Sequence, residues 1–205
     1  MSAPAAPGLR EQKKARTRAA IAAAAAALFA RDGYASVTMT QIAAQASVAE
    51  QTLYNYFPAK ENLVFDRSRE LESSLARVLA GHQAGADLAG AVAGWLDDFL
   101  LGEDARRAVR SPGGMPHLVV TSDALRRMLL DLMHQFAPAL AGQLSHDHGI
   151  AGPAALAIAD AVLAVFVRTI EQLGEATDEA ALPQIREGTH AAIEALRPLI
   201  AAHAR

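Results

Sequence analysis

A chain of 205 residues, 52% hydrophobic and without cysteine, is long enough for one or two domains with real cores and excludes a disulfide scaffold or a thiolate metal site. Much of the apolar content is alanine, aromatics make up only 5%, and β-branched runs are scarce, which argues against a sheet protein and for closely packed helices. The net charge of −3 divides unevenly: residues 1–65 carry seven Lys+Arg against four Asp+Glu (+3), and residues 66–205 carry twelve against eighteen (−6). That is a basic module on an acidic body, as in a reader of polyanions with a separate regulatory part.

Met1 to Gly8, with Pro4 and Pro7, reads as a disordered arm. A first helix is predicted over Leu9–Asp32, with Arg10, Lys13, Lys14, Arg16 and Arg18 near its start and Gly33 as its stop. A basic start followed by an apolar run from Ala19 to Ala30 imitates a signal peptide. But the run is mostly alanine, a strong helix former and poor membrane anchor, and Ile21, Leu28 and Phe29 have amphipathic spacing. No stretch reaches the ~18 apolar residues that a membrane span requires. The expectation is a cytoplasmic, nucleoid-associated chain.

From Thr38 to Phe57 the sequence takes the form of two short helices and a tight turn. Thr38 caps the first helix and Gln41 stands at its third position, a capping box. Ile42 and Ala46 supply an apolar stripe, Ser47-Val48-Ala49 the turn, and Leu53 and Phe57 the buried stripe of the second helix, with Val48 between. Gln51, Thr52, Tyr54, Asn55 and Tyr56 are left largely facing outward, and Pro58 stops the helix. This is a helix-turn-helix, whose second helix is built to enter a major groove.

T-L-Y-N-Y-F followed by P-A-K-E-N-L resembles the end of the DNA-binding domain in the tetracycline-repressor (TetR) family. L-F-A-R-D-G-Y-A-S-V-T-M-T-Q-I-A is similar to that family's junction between its first two helices, so the likeness runs from Leu28 to Phe65. The remainder agrees in length and helical character. The resemblance implies an all-α fold, with an amino-terminal three-helix domain containing the helix-turn-helix and a larger helical domain for ligand binding and dimerisation. It also implies roles for the matching residues. Thr38, Thr52 and Tyr56 would serve phosphate contacts, Thr40 would also bind DNA, and Lys60, at the start of helix four, would attract a phosphate. Gln51, Tyr54 and Asn55 would read bases, since Asn and Gln can bond adenine through two atoms. Against this stands the plainer possibility of a polar helix surface, with part of the Tyr56 ring in the core. Ser47 occupies the place of a usual turn glycine, Ala49 and Ala59 those of common capping serines, and Glu50 that of a basic residue.

Beyond residue 58 the domain reading is helix four from about Ala59 to Leu79, linking to an effector-binding and dimerisation domain over 59–205, with 9–58 as the DNA-binding domain. Further helices are predicted over Asp87–Leu101, Glu103–Arg110, Ser122 to about Leu144, Ala154–Leu173 and Glu179–His203, the last kinked at Pro183 and Pro198. Trp95, Phe99, Met115, His117, Met128, Met133, Phe136 and Phe166 are candidates to line a cavity for an apolar or acyl-bearing effector; each is also a plausible core residue. Leu118–Leu130 is similar to members responding to lipid-like or acyl-CoA ligands. The last two helices are expected to pair with a second copy, with Leu163, Val167, Ile170, Ile193 and Leu196 divided between core and interface. His146-Asp147-His148 reads as a solvated turn rather than a metal site. Arg106, Arg107 and Arg110 read as a solvated face, and no nucleophile or phosphate-loop motif points to an enzyme. The expected function is a homodimeric, ligand-responsive regulator, a repressor released from a near-palindromic operator; its main rival is an effector-independent DNA-binding dimer with a solid body, and its second rival an enzyme on an all-α scaffold, which a lack of DNA binding would revive.

Overall fold

The computed structural model describes residues 8–66, 68–81, 87–101, 106, 109 and 111–203, with the backbone alone at 68, 69 and 99–101. Regular structure among these residues is entirely helical, and the chain divides into two compact units, Met1–Asp66 and Arg67–Arg205. The predicted arm, apart from Gly8, lies outside the described residues. So does most of the predicted Glu103–Arg110 helix, in which Arg106 and Val109 are helical.

The first unit contains α1 (Leu9–Asp32), α2 (Met39–Gln45), α3 (Glu50–Tyr56) and α4 (Glu61–Val64). α1 has the bounds its sequence predicts. Gly33 ends it at φ 78°, a backbone that glycine adopts without a Cβ penalty, and its N–H bonds the Phe29 carbonyl. Its buried face is Ile21, Ala24, Ala25, Leu28 and Phe29, whose small alanines allow close packing on α2 and α4. The residues that carry Arg10, Lys13, Lys14 and Arg16 are exposed. In α2 the buried pair is Ile42 and Ala43; Ala46, expected in that stripe, is only half-buried because it is the C-cap, where the helix gives way to the turn.

Helix four is not continuous. α4 ends at Val64 and α5 begins at Ser68, and the break coincides with the boundary between the units. Phe65 leaves the helical region at φ −103°, ψ 30°, and Asp66 is held by an ion pair to Arg18 of α1. A contact 48 residues away in sequence, absent from any local pattern, accompanies the break.

The second unit contains α5 (Ser68–Ala80), α6 (Leu88–Leu101), α7 (Met115–Thr121), α8 (Asp123–His148), α9 (Gly152–Glu175), a 3-10 turn (Glu179–Ala181) and α10 (Leu182–His203). α9 is its central element, packed on α7, α8 and α10, while α6 joins α10 and α5, and α5 reaches α8. With 24 residues and a mean hydropathy of 1.8 over its most apolar stretch, α9 is long and apolar enough to cross a membrane, which corrects the expectation that no stretch is. Half of that stretch is buried within the unit, the character of a core helix. A Cβ placed on Gly174 would meet the Pro116 carbonyl oxygen at 2.2 Å, so α9 and α7 cross where only glycine fits.

Ser122 caps α8 as predicted, accepting from the Leu125 N–H at 3.4 Å, but the helix runs beyond Leu144 to His148 and ends on left-handed Gly149. The solvated-turn reading therefore fails for His148. This residue is 1% exposed, and its Nε2–H donates to the Leu79 carbonyl at 3.0 Å, tying the end of α8 to that of α5. Pro183 sits in the first turn of α10, where its missing N–H costs nothing, rather than at a kink; Pro198 stands inside the helix. Thr169 donates to the Val165 carbonyl at 2.9 Å, so the buried hydroxyl contact of 2.9 Å between α9 and α10 has Thr189 as donor and Thr169 as acceptor. Asp97 links α6 to α10 by accepting from Arg186 and His190 at 2.9 and 2.8 Å. Burial pushes its carboxyl pKa up, but the Arg186 and His190 hydrogen bonds and charges outweigh burial and hold it below the usual range.

The expected division of apolar residues between core and dimer face needs correction. Leu163, Val167, Ile170 and Ile193 are all buried within the single subunit, and only Leu196 is intermediate. Exposed apolar residues of these helices include instead Leu156, Ala157 and Ala164 on α9 and Ala191, Ala195 and Leu199 on α10.

Candidate nucleic-acid interface

The capping box that opens α2 is complete: Thr38 Oγ1 accepts from the Gln41 N–H at 3.2 Å, and Gln41 Oε1 accepts from the Thr38 N–H at 2.8 Å. The turn has the left-handed residue its sequence predicts, Ser47 at φ 55°. That backbone costs an L-residue about 1–2 kcal/mol. The Ser47 and Val48 N–H groups bond the Ala44 and Ala43 carbonyls at 3.1 and 3.0 Å, so the turn leaves neither donor open. Ala49 begins α3 without a side-chain cap. At Ala59, by contrast, the missing capping serine is replaced from the other direction, because Asn62 Oδ1 accepts the Ala59 N–H at 3.0 Å.

Leu53 and Phe57 are fully buried, which fixes the roll of α3. Gln51, Asn55 and Tyr54 are exposed, Tyr54 to 44%, whereas Thr52 and Tyr56 are half-buried. Gln51 Nε2 donates to Asn55 Oδ1 at 3.2 Å, one turn apart, so the two amides present a joined polar edge with the Gln51 carbonyl oxygen and the Asn55 NH₂ still available. Thr38 and Thr40 are exposed at the start of α2.

Lys60 sits differently from a free phosphate ligand. Its ammonium donates to the Tyr34 and Val37 carbonyls at 2.9 and 3.0 Å and lies 4.2 Å from the centre of the Tyr34 ring. Two of its three N–H groups are thus spent tying the loop between α1 and α2 to α4, which leaves one for another acceptor. The Tyr34 hydroxyl donates to Glu61 at 3.0 Å; burial first, and then the Glu61 carboxylate, drive its pKa upward, so the proton stays in place.

Sequence reasoning missed Arg18. It lies in a basic run that gives no sign of a structural role, yet its guanidinium pairs with Asp66, donates to the Tyr56 carbonyl at 3.3 Å and lies 4.5 Å from the centre of the Phe57 ring.

The candidate effector residues are less well gathered. Trp95, Met133, Phe136 and Phe166 are buried, and the Trp95 and Phe166 rings pack against each other with centroids 5.8 Å apart. The Trp95 indole N–H donates to Ser74 Oγ at 2.9 Å. Met115 and His117 are half-buried, and Met128 is 38% exposed on α8, which removes it from an enclosed wall in this conformation. The Phe99 side chain lies outside those described. An aliphatic void of about 10 Å³, lined by Leu75, Leu79, Val92, Leu144 and Ile158 among others, is too small for a ligand. An open cleft of about 630 Å³ runs along Leu182, Pro183, Arg186 and His190, and none of the candidate residues whose side chains are described lines it.

Residues 21–66 match the model of the bacterial regulatory proteins of the TetR family. The chain is similar in structure to the TetR-family repressor AlkX from Dietzia sp. strain DQ12-45-1b, described as implicated in biodegradation of n-alkanes (TM-score 0.60, 19% identity, 91% of this chain and 98% of that one). It is likewise similar to a TetR-family regulator from Mesorhizobium loti MAFF303099 (0.56, 18%, 94% and 99%) and to the multidrug binding protein EbrR complexed with malachite green (0.51, 23%, 85% and 96%). No curated protein matches the chain by sequence. Over residues 21–66 the first unit thus carries the signature of the TetR family of bacterial regulatory proteins, and the chain as a whole is similar in fold to regulators of that family.

Proposed function

We propose that the protein is a homodimeric repressor that places α3 of each subunit in successive major grooves of a near-palindromic operator and is released by an apolar or acyl-bearing small molecule, with no enzymatic activity of its own. The observation that carries the DNA half is the exposed Gln51–Asn55 amide pair beside Tyr54 on a helix whose opposite face is fully buried. Gln51→Ala and Asn55→Ala should each cost about 1–3 kcal/mol and relax base preference. Lys60→Met should weaken all duplexes alike and lower the salt slope by about one if its remaining N–H reaches a phosphate. Fluorescence anisotropy on selected and scrambled duplexes at several salt concentrations measures both. Unchanged specificity in both amide variants would rule out α3 as the base reader.

The effector half rests on an apolar body and on what structural neighbours are described as doing: one is implicated in n-alkane degradation, and another binds malachite green. The Trp95 and Phe166 rings pack together, so a ligand seated between them would select a conformation in which they part, and any ligand can release DNA only by preferring the released conformation. The same contact favours the second reading, an effector-independent dimer with a solid body. Operator release measured across apolar, acyl-bearing and hydrophilic compounds separates the two; release by none of them leaves the solid-body reading.

Dimerisation is assigned to the outward faces of α9 and α10, around Leu156, Ala164, Ala195 and Leu199, where small side chains allow close helix approach. Leu156→Glu with Leu199→Glu should give a folded monomer by sedimentation velocity and circular dichroism. Leu163→Glu with Ile193→Glu, both buried, should unfold the body instead. A fully dimeric Leu156/Leu199 variant would overturn this interface.

A further inference from the structure

Arg18 belongs by sequence to the basic start of α1 and would ordinarily be counted among the residues that attract DNA phosphates. The geometry gives it other work. Its Nε donates to Asp66 Oδ1 at 2.7 Å, Nη2 bonds the same oxygen, and Nη1 reaches the carbonyl of Tyr56, the last residue of α3, at 3.3 Å. The central carbon of the group lies over the ring of Phe57, the residue that caps α3 and is fully buried. One rigid fork therefore engages two points at once: the carboxyl end of α3, whose last carbonyls have no partner within the helix, and Asp66, the last residue of the first unit. A cation at a helix carboxyl terminus is also favoured by the helix dipole.

We propose that Arg18 is a positioning residue for operator recognition: it sets the end of the recognition helix relative to the point where the chain leaves the DNA-binding unit, and it is not a phosphate contact. Asp66 is its partner in that role. Anything that displaces residue 66 draws on the guanidinium that also holds α3, so the register of the amide pair depends on this ion pair. The inference rests on the reading of α3 as the recognition helix.

The two roles predict opposite signs for one substitution. If Arg18 touched phosphate, Asp66→Asn would free it from its carboxylate and tighten binding. As a positioning residue, it should lose hold of α3, so that Asp66→Asn weakens binding to the selected operator several-fold while the affinity for a scrambled duplex of equal length hardly changes. Arg18→Lys keeps the charge but loses the fork. It should weaken operator binding by about tenfold with an unchanged salt slope. The double variant should lose little more than Arg18→Lys alone, as coupled partners do.

The experiment is anisotropy on full-length protein with the duplex that the wild type selects from random DNA and with a scrambled duplex, across a salt series, with thermal melts run in parallel. Asp66→Asn is nearly isosteric and keeps the measurement meaningful if an Arg18 variant unfolds. Tighter binding by Asp66→Asn, a salt slope reduced by about one with equal loss on both duplexes, or wild-type behaviour in both variants overturns the proposal. If Gln51→Ala and Asn55→Ala also leave specificity intact, the fault lies with the reading of α3; if they impair it and the Arg18 and Asp66 variants do not, only the positioning role is lost.

Discussion

Replacing Gly174 by alanine is expected to destabilise the larger unit by about 1–3 kcal/mol, although the substitution replaces a poor helix former by the best one in the middle of packed structure. Two terms oppose each other. Alanine gains at most about 1 kcal/mol of helix propensity over glycine, and less here, at the second-to-last residue of α9. Against that, the new methyl would lie 2.2 Å from the Pro116 carbonyl oxygen, 2.6 Å from its carbon and 3.0 Å from a Val120 methyl. The nearest atoms are backbone and cannot swing aside as a side-chain end would, and Pro116 is itself buried. α7 would have to move off α9, opening contacts along both. Steric cost should win, and the melting temperature of the body should fall by several degrees. A melting temperature at or above that of the wild type would show that α7 gives way freely.

Phe57→Ala should have the larger consequence for DNA binding. A fully buried phenylalanine truncated to alanine costs about 3–5 kcal/mol. A unit of some 60 residues has little more stability than that to lose. The ring also carries the Arg18 guanidinium, which would lose its platform. The expected result is a protein whose body still melts cooperatively while the amino-terminal helices exchange their amide protons rapidly and operator binding is lost. Hydrogen exchange resolved by residue distinguishes this from global unfolding. Native-like protection in α2 and α3 would mean that the unit tolerates the cavity.

The first unit was largely legible because its determinants are local. The bounds of α1 follow from its alanine-rich amphipathic stretch and Gly33, α2 from the Thr38–Gln41 box, and the strained turn from a serine where glycine is expected. What escaped depends on contacts between distant residues. Nothing near Asp66 announces a helix break; it goes with an arginine in α1. Lys60 looks like a free cation until the carbonyls of Tyr34 and Val37 are placed around it. In the body, α9 and α10 are apolar on more than one face, so periodicity could not tell Leu163 and Ile193, which are core, from Leu156 and Leu199, which are exposed. His148 looked solvated beside two glycines because its acceptor, the Leu79 carbonyl, lies 69 residues away.

The buried hydroxyl relay from Thr189 through Thr169 to the Val165 carbonyl restricts how α9 and α10 can move against each other. Apolar seams between helices are forgiving: one leucine slides past another at little cost. A hydroxyl in such a seam is less so, since sliding by a single turn would break the Thr189–Thr169 bond and oblige Thr189 to turn back on a carbonyl of its own helix, as Thr169 already does. The cost is that of one buried hydrogen bond, about 0.5–1.5 kcal/mol. Swivelling about the contact preserves it. The contact therefore favours a pivot over a piston in this pair of helices.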